Sequence, residues 1–312
     1  MNVNQSSVSE FLLLGLSRQP QQQQLLFLLF LIMYLATVLG NLLIILAIST
    51  GSRLHTPMYF CLTNLSFVDV CFSSTTVPKV LTNHILGTQA ISFSGCVIQF
   101  YFLCVFVDMD NFVLAVMAYD RFVAICHPLD YITKMTYQLC ALLVVGSWVT
   151  ANLNALLHTL LMAQLSFCGD NIIPHFFCDL TPLLKLSCSD THLNELMIYT
   201  EGAAVIVTPF ACILISYIYI TYAVLRVSSP KGGWKAFSTC GSHLAVVCLF
   251  YGTIIAEYFN PSSSHSAGRD VAGAVMYTMV TPMLNPFIYS LRNRDMKGAL
   301  RKVLTIRFPS KR

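Results

Sequence analysis

Four aspartates stand inside long apolar stretches of this chain: Asp69, Asp108, Asp110 and Asp120. An acid in such surroundings must keep its proton, find a donor or meet a cation, because an unpaired charge away from water is costly. Their neighbours differ. Asp120 is followed by Arg121 in "MAYDRFVAICHPLDY" (117–131), where an apolar run stops before His127 and Pro128. Arginine does not lose its proton in a protein, so Arg121 is a permanent charge, and Asp120 beside it offers a partner. At about 100° per residue along a helix, Asp108 and Asp110 point about 160° apart. Asp110 shares a face with Leu103, Val107, Leu114 and Arg121, while Asp108 shares another with Cys104 and Asn111. Two different roles are therefore expected.

The elements that position these acids follow from composition. The 312 residues are 56% hydrophobic and 10% charged. A soluble domain carries about 25% charged residues, so water is not the main solvent here. A helix crosses the hydrocarbon core with about 20 mostly apolar residues. Seven segments qualify, near 25–50, 57–82, 96–126, 137–162, 192–226, 234–258 and 268–291; the last is diluted by Gly, Thr, Pro and Asn. The expected fold is an all-α membrane protein, a seven-helix transmembrane bundle. It divides into a tail (1–24), the bundle (25–291) and a short amphipathic helix with its tail (292–312). With the N-terminus outside, fourteen of the eighteen Lys and Arg fall on the cytoplasmic side, leaving Arg18, Lys79, Lys185 and Arg269 outside. Asn4 opens a glycosylation sequon in the outer tail. Residues 1–24 lack the basic and apolar regions of a cleavable signal, so the first span is expected to target the chain. The basic segment from Arg292 to Val303 suits a surface-lying helix drawn to anionic lipid.

Eight of the twelve cysteines lie in spans as small apolar filler; Cys96, Cys168, Cys178 and Cys188 lie outside. Four cysteines in an oxidising compartment suggest two disulfides among three connectivities, with the segment between spans four and five as a stapled lid. Rival classes lack their signatures. A transporter would show internal repeats, a channel rings of charge, and a hydrolase a Ser–His or His–Asp constellation; none is evident. No enzyme is expected.

Further motifs resemble a known family. Gly40–Asn41, "PMYFCLTNLSFVDVC" from Pro57, "MAYDRFVAIC" from Met117, Ser216–Tyr217, "KAFSTCGSHL" from Lys235 and "PMLNPFIYSLRN" from Pro282 are similar, over nearly the whole chain, to the signature of the olfactory receptors, a branch of the rhodopsin-like G-protein-coupled receptors. The family-one branch is the nearest match. One departure is Phe122, where a tyrosine is usual; another is Tyr251, where most rhodopsin-like receptors have tryptophan.

That resemblance implies an odorant-activated receptor in the plasma membrane of sensory cilia, raising cAMP through a stimulatory, olfactory-type G protein. It implies Cys96–Cys178 and Cys168–Cys188 disulfides. It implies an outer-half pocket lined by Leu103, Cys104, Val107, Asp108, Asn111, Gly202, Val205, Ile206, Ile254, Ile255, Tyr258 and Thr278, with Tyr258 and Asp108 as polar anchors and Glu201 and His158 as weaker candidates. This mostly aliphatic lining suits a small, neutral alcohol, ketone or terpenoid-like volatile. It assigns coupling and activation to Asp120, Arg121, Tyr217, Ser238, His243, Tyr251 and Tyr289. Asp69 and Asp110, with Asn41 and Asn285 nearby, would share either Na⁺ or a proton. No other cofactor is implied, nor any nucleic-acid partner.

Overall fold

The computed structural model describes residues 9–14, 20–169, 171–226, 230–258, 272–292 and 294–306; the side chains of 20, 230–239, 256–258, 290–292, 294 and 306 fall outside that description. The glycosylation candidate Asn4 and the side chains of Ser238 and Tyr258 therefore lie outside the described residues.

Helices dominate. They are α1 (Pro20–Thr50), α2 (Pro57–Leu86), α3 (Phe93–Cys126), α4 (Tyr137–Ala163), α5 (His192–Leu225), α6 (Pro230–Tyr258), α7 (Met276–Val280 and Thr281–Arg292) and α8 (Arg294–Ile306). The first five are long and apolar enough to cross a membrane; α6 carries a shorter apolar stretch, Cys240–Ile255. Local chemistry sets the boundaries. Ser92 and Thr136 cap α3 and α4 by accepting the backbone N–H of Gly95 and Leu139. Gly87 ends α2 at φ 64°, which a residue without Cβ adopts freely.

α3 is the axis of the bundle, packed on α2, α4, α5 and α6. It buries 67% of its most apolar window, against 28% for α1, which turns Leu25, Leu28, Ile32 and Leu39 outward. Lipid tails are as apolar as leucine, so helices associate by close packing and hydrogen bonds. Gly40 shows the first device: a Cβ there would come within 3.1 Å of the Pro286 ring, so α1 and α7 meet where glycine stands. α8 packs back on α1 through buried Met296 and Val303.

The outer end carries structure that hydropathy does not show. Glu10–Leu13 forms β1, antiparallel to β2 (Ala90–Ser92) and parallel to β3 (Ile172–Ile173). Alternation buries Phe11 and Leu13, which join Ile91, Phe100, Phe167 and Ile173 in a second apolar core beneath the lid. The lid is stapled by Cys96–Cys178 and Cys168–Cys188 disulfides, with the short helix Leu180–Leu186 between them.

Asp179 caps that short helix, its Oδ1 accepting the Leu180 N–H at 2.8 Å. Part of the residue reaches solvent, yet burial of its carboxyl raises the pKa to about 6, opposed by the Leu180 bond. The folded lid thus holds a proton that the unfolded chain releases near pH 4. This contribution to stability is fully present below about pH 4 and is lost as pH rises through about 6. Asp179→Asn keeps the cap and removes the titration. Its melting temperature should lack the decline between about pH 4 and 6 expected of the parent; identical pH profiles would refute this account of the lid.

Candidate functional site

Three polar layers cross the bundle. In the outer half, Asn111 on α3 donates to the Val205 carbonyl of α5 at 2.6 Å and accepts a hydrogen bond from Tyr251 of α6. Asn111 and Tyr251 are buried at 1% and 4% exposure. One side chain therefore ties three helices. Beside it, α5 makes a π turn over Ile198–Gly202, and α7 makes another over Met276–Val280. Such turns free the backbone from regular helix spacing and recur at functional sites.

The structure brings part of the expected lining to this level. Leu103 and Ile254 are buried, and Cys104, Val107, Gly202, Val205 and Ile206 are partly buried. Two positions depart from expectation. Ile255 is 50% exposed, because its neighbour Ile254 takes the inward direction and successive helical residues diverge by about 100°. Asp108 turns toward α4, where its Oδ2 accepts from Asn154 Nδ2 at 2.7 Å, so this carboxylate is engaged between helices rather than free as an anchor. Thr278 is fully buried and spends its hydroxyl on the Ala274 carbonyl of its own helix. Sequence reasoning missed Asn154; a polar residue inside span four was its signal. His158 is buried near Gly202, and Glu201 Oε2 has no partner among the described residues. A cavity of about 430 Å³ opens at the outer ends of α1 and α2, lined by Phe27, Phe30, Leu81, Asn83 and Phe176 among others, apart from this layer.

The middle layer is the polar core. Asn285 Nδ2 donates to both oxygens of Asp69, at 3.1 and 2.9 Å. Asn41 Nδ2 donates to the Pro282 and Thr37 carbonyls at 3.1 and 3.0 Å, holding α1 to α7. Asp69 is fully buried and Asp110 nearly so. Among the described residues Asp110 Oδ1, Asn41 Oδ1, Asn285 Oδ1 and the Tyr289 hydroxyl are buried without partners. Buried polar atoms are almost always satisfied. Unpartnered oxygens beside two carboxylates are the donor set a hard cation takes, and equally one that bridging water with a shared proton would satisfy.

The inner layer holds α6 in place. His243, 1% exposed, bonds the Tyr217 hydroxyl through Nδ1 at 2.7 Å and faces the Leu114 carbonyl with Nε2 at 3.0 Å. One histidine thereby joins α6 to α5 and α3. At the end of α3, Asp120 does not pair with Arg121. Its Oδ1 accepts from Tyr131 at 2.8 Å, and Arg121 Nη2 donates to the Met58 sulfur of α2. Adjacent residues on a helix do not face each other, which is why the expected pair is absent. Among the described residues the ion pair is Lys134–Asp130, both exposed. Tyr289 lies buried between the two lower layers.

The family model described as olfactory receptor matches residues 30–307. The chain is 84% identical over 310 residues to olfactory receptor 1f45 of Rattus norvegicus, covering 99% of both chains. It is 76% identical to olfactory receptor 1F1 of Homo sapiens over 301 residues, 96% of each chain, and 62% identical to human olfactory receptor 1J4 over 300 residues, again 96% of each.

Proposed function

From the premise that this chain belongs to the olfactory receptor family, and is a multi-pass, seven-helix odorant-sensing G-protein-coupled receptor and not an enzyme, we propose that a small neutral volatile opens it by releasing α6. The observation that carries this reading is the pair of side-chain latches on α6, Tyr251 to Asn111 and His243 to Tyr217 and Leu114. Tyr251 and His243 are two turns apart on one helix, so the latches strain together when the outer half is displaced.

The magnitudes are compatible. Three hydrogen bonds at about 1 kcal/mol each hold α6 closed by about 3 kcal/mol, near 150-fold in population. A ligand shifts that balance only by binding the open form more tightly. A ten-carbon skeleton gains about 0.8 kcal/mol per buried CH₂, so a fraction of its burial energy is sufficient. One hydroxyl or carbonyl adds about 1 kcal/mol through a group such as Asn111, which favours alcohols, ketones and terpenoid-like ligands and gives broad selectivity. Released α6 uncovers Arg121 for a stimulatory, olfactory-type G protein, raising cAMP. The distribution of Lys and Arg supports an N-terminus outside the membrane, and the resemblance to olfactory receptors supports the plasma membrane of sensory cilia as its location. Agonist-dependent GTP exchange on the purified stimulatory G protein, with a panel of volatile alcohols, ketones and aldehydes, tests the scheme. Exchange that no panel member raises, or that rises equally on an inhibitory-class G protein, would overturn it.

The polar core biases the same equilibrium. Na⁺ held by Asp69, Asp110 and the unpartnered oxygens of Asn41 and Asn285 would favour the closed bundle. Asp69→Asn and Asp110→Asn should then each change basal exchange by about fivefold, the worth of about 1 kcal/mol, and abolish its dependence on NaCl against choline chloride. Salt dependence that survives in both variants would rule out Na⁺ there; its absence in the parent would favour the shared proton.

A further inference from the structure

The sulfurs of two free cysteines, Cys61 on α2 and Cys140 on α4, lie 3.3 Å apart although 79 residues separate them in the chain. Both are completely buried. Cys140 Sγ also lies 3.5 Å from the Pro57 carbonyl, so the contact sits where the first turns of α2 and α4 cross. This is the Arg121 end of the bundle, and Met58, which accepts the Arg121 guanidinium, follows Pro57 directly. Buried cysteine usually serves as a small apolar residue. Here two thiols from separate helices touch, and closing a bond needs only a small approach of the sulfurs with no new backbone path.

We propose that Cys61 and Cys140 form an oxidisable dithiol, a modification site at which peroxide creates a third disulfide and thereby holds the inner end of the receptor closed. The chemistry balances with hydrogen peroxide as oxidant. Cys140, buried in the first turn of α4, gives up its proton and attacks one oxygen of a peroxide that reaches it at that end of the helix. The O–O bond breaks, water leaves, and the sulfur becomes a sulfenic acid. Cys61 then attacks that sulfur, the S–O bond breaks, and a second water carries off the hydroxyl with the Cys61 proton. The two thiols lose two electrons in all and the peroxide gains them. On the cytoplasmic side glutathione keeps thiols reduced, so the bridge is transient and redox-sensing rather than structural. Once formed it ties the turn carrying Pro57 and Met58 to α4. The seat of the Arg121 side chain then no longer moves independently.

The bridge is a statement about chemistry alone; its effect on signalling rests on the receptor reading above. Purified receptor in lipid nanodiscs, incubated with hydrogen peroxide, is unfolded in the presence of N-ethylmaleimide, digested without reduction and mapped by mass spectrometry. A joined pair of peptides holding Cys61 and Cys140, lighter by two hydrogens than the free thiols and absent from Cys61→Ser and Cys140→Ser, is expected. Recovery of both residues alkylated or separately over-oxidised would overturn the proposal. In parallel, agonist-driven GTP exchange should fall in the parent by the fraction bridged and stay constant in Cys61→Ser. A bridged receptor that exchanges at full rate would refute the closing role. A receptor that never responds to agonist, with the bridge mapped as expected, counts against the signalling scheme and leaves the dithiol standing.

Discussion

On the coupling scheme proposed above, Arg121→Ala should leave odorant binding intact and lower agonist-driven cAMP at least about tenfold for every ligand alike. The side chain is weakly held in the closed bundle: Nη2 meets only the Met58 sulfur, a poor acceptor, and Nε has no partner among the described residues. No ion pair joins it to Asp120, whose Oδ1 accepts from Tyr131. On the same scheme, its value lies in what it meets after release. Hydrogen bonds to a charged group are worth about 1.5–3 kcal/mol, so losing one or two across the G-protein contact lowers coupling by about tenfold to more than a thousandfold. The residue sits about ten positions below Asn111 on α3, roughly 15 Å along the axis, so the ligand layer is untouched. Dose–response curves for two chemically unrelated agonists, with binding measured on the same membranes, separate these effects. A normal maximal cAMP signal in the variant, or loss for one ligand only, would remove Arg121 from its assigned role.

Cys178→Ser should deplete folded receptor from the cell surface. The Cys96–Cys178 bridge spans 82 residues, Cys168–Cys188 only 20. Constraining the unfolded chain stabilises in proportion to the logarithm of loop length, so the longer bridge contributes about 4–5 kcal/mol and the shorter about 1 kcal/mol less. Cys178 is fully buried, its N–H donates to Gln99 Oε1, and Phe176 and Phe177 beside it reach the bundle core. The serine variant thus loses both the covalent tie and the seat of two aromatic rings. Cys168→Ser should lower the melting temperature of detergent-solubilised receptor by less. Equal losses in the two variants would show that loop length does not decide the matter.

Much of this molecule can be read from linear order because the bilayer imposes length and polarity on each span. Seven apolar segments, the uneven distribution of Lys and Arg between their connections and the isolated acids need no tertiary information, and family motifs such as Gly40–Asn41 and Asp120–Arg121 stand in the sequence itself. The two disulfides that the resemblance implied are the pairs the structure joins. Partner choice was not legible in the same way. Helical period separates the directions of Asp108 and Asp110, yet it does not say that Asp108 meets Asn154, that Tyr131 takes Asp120, or that Met58 receives Arg121. Those contacts depend on the rotation of one helix against another. Ile255 shows the sensitivity: one residue past Ile254, it faces outward. The β1 strand escaped for another reason. Four residues with Phe11 and Leu13 inward are too short a pattern to stand out, and become a strand only when residues 90–92 and 172–173 supply edges. The sequence determined the solvent, the number of spans and where the ionisable side chains stand along them. Only the tertiary structure decided which of those groups touch, because a hydrogen bond needs atoms within about 3 Å, finer than any periodicity resolves.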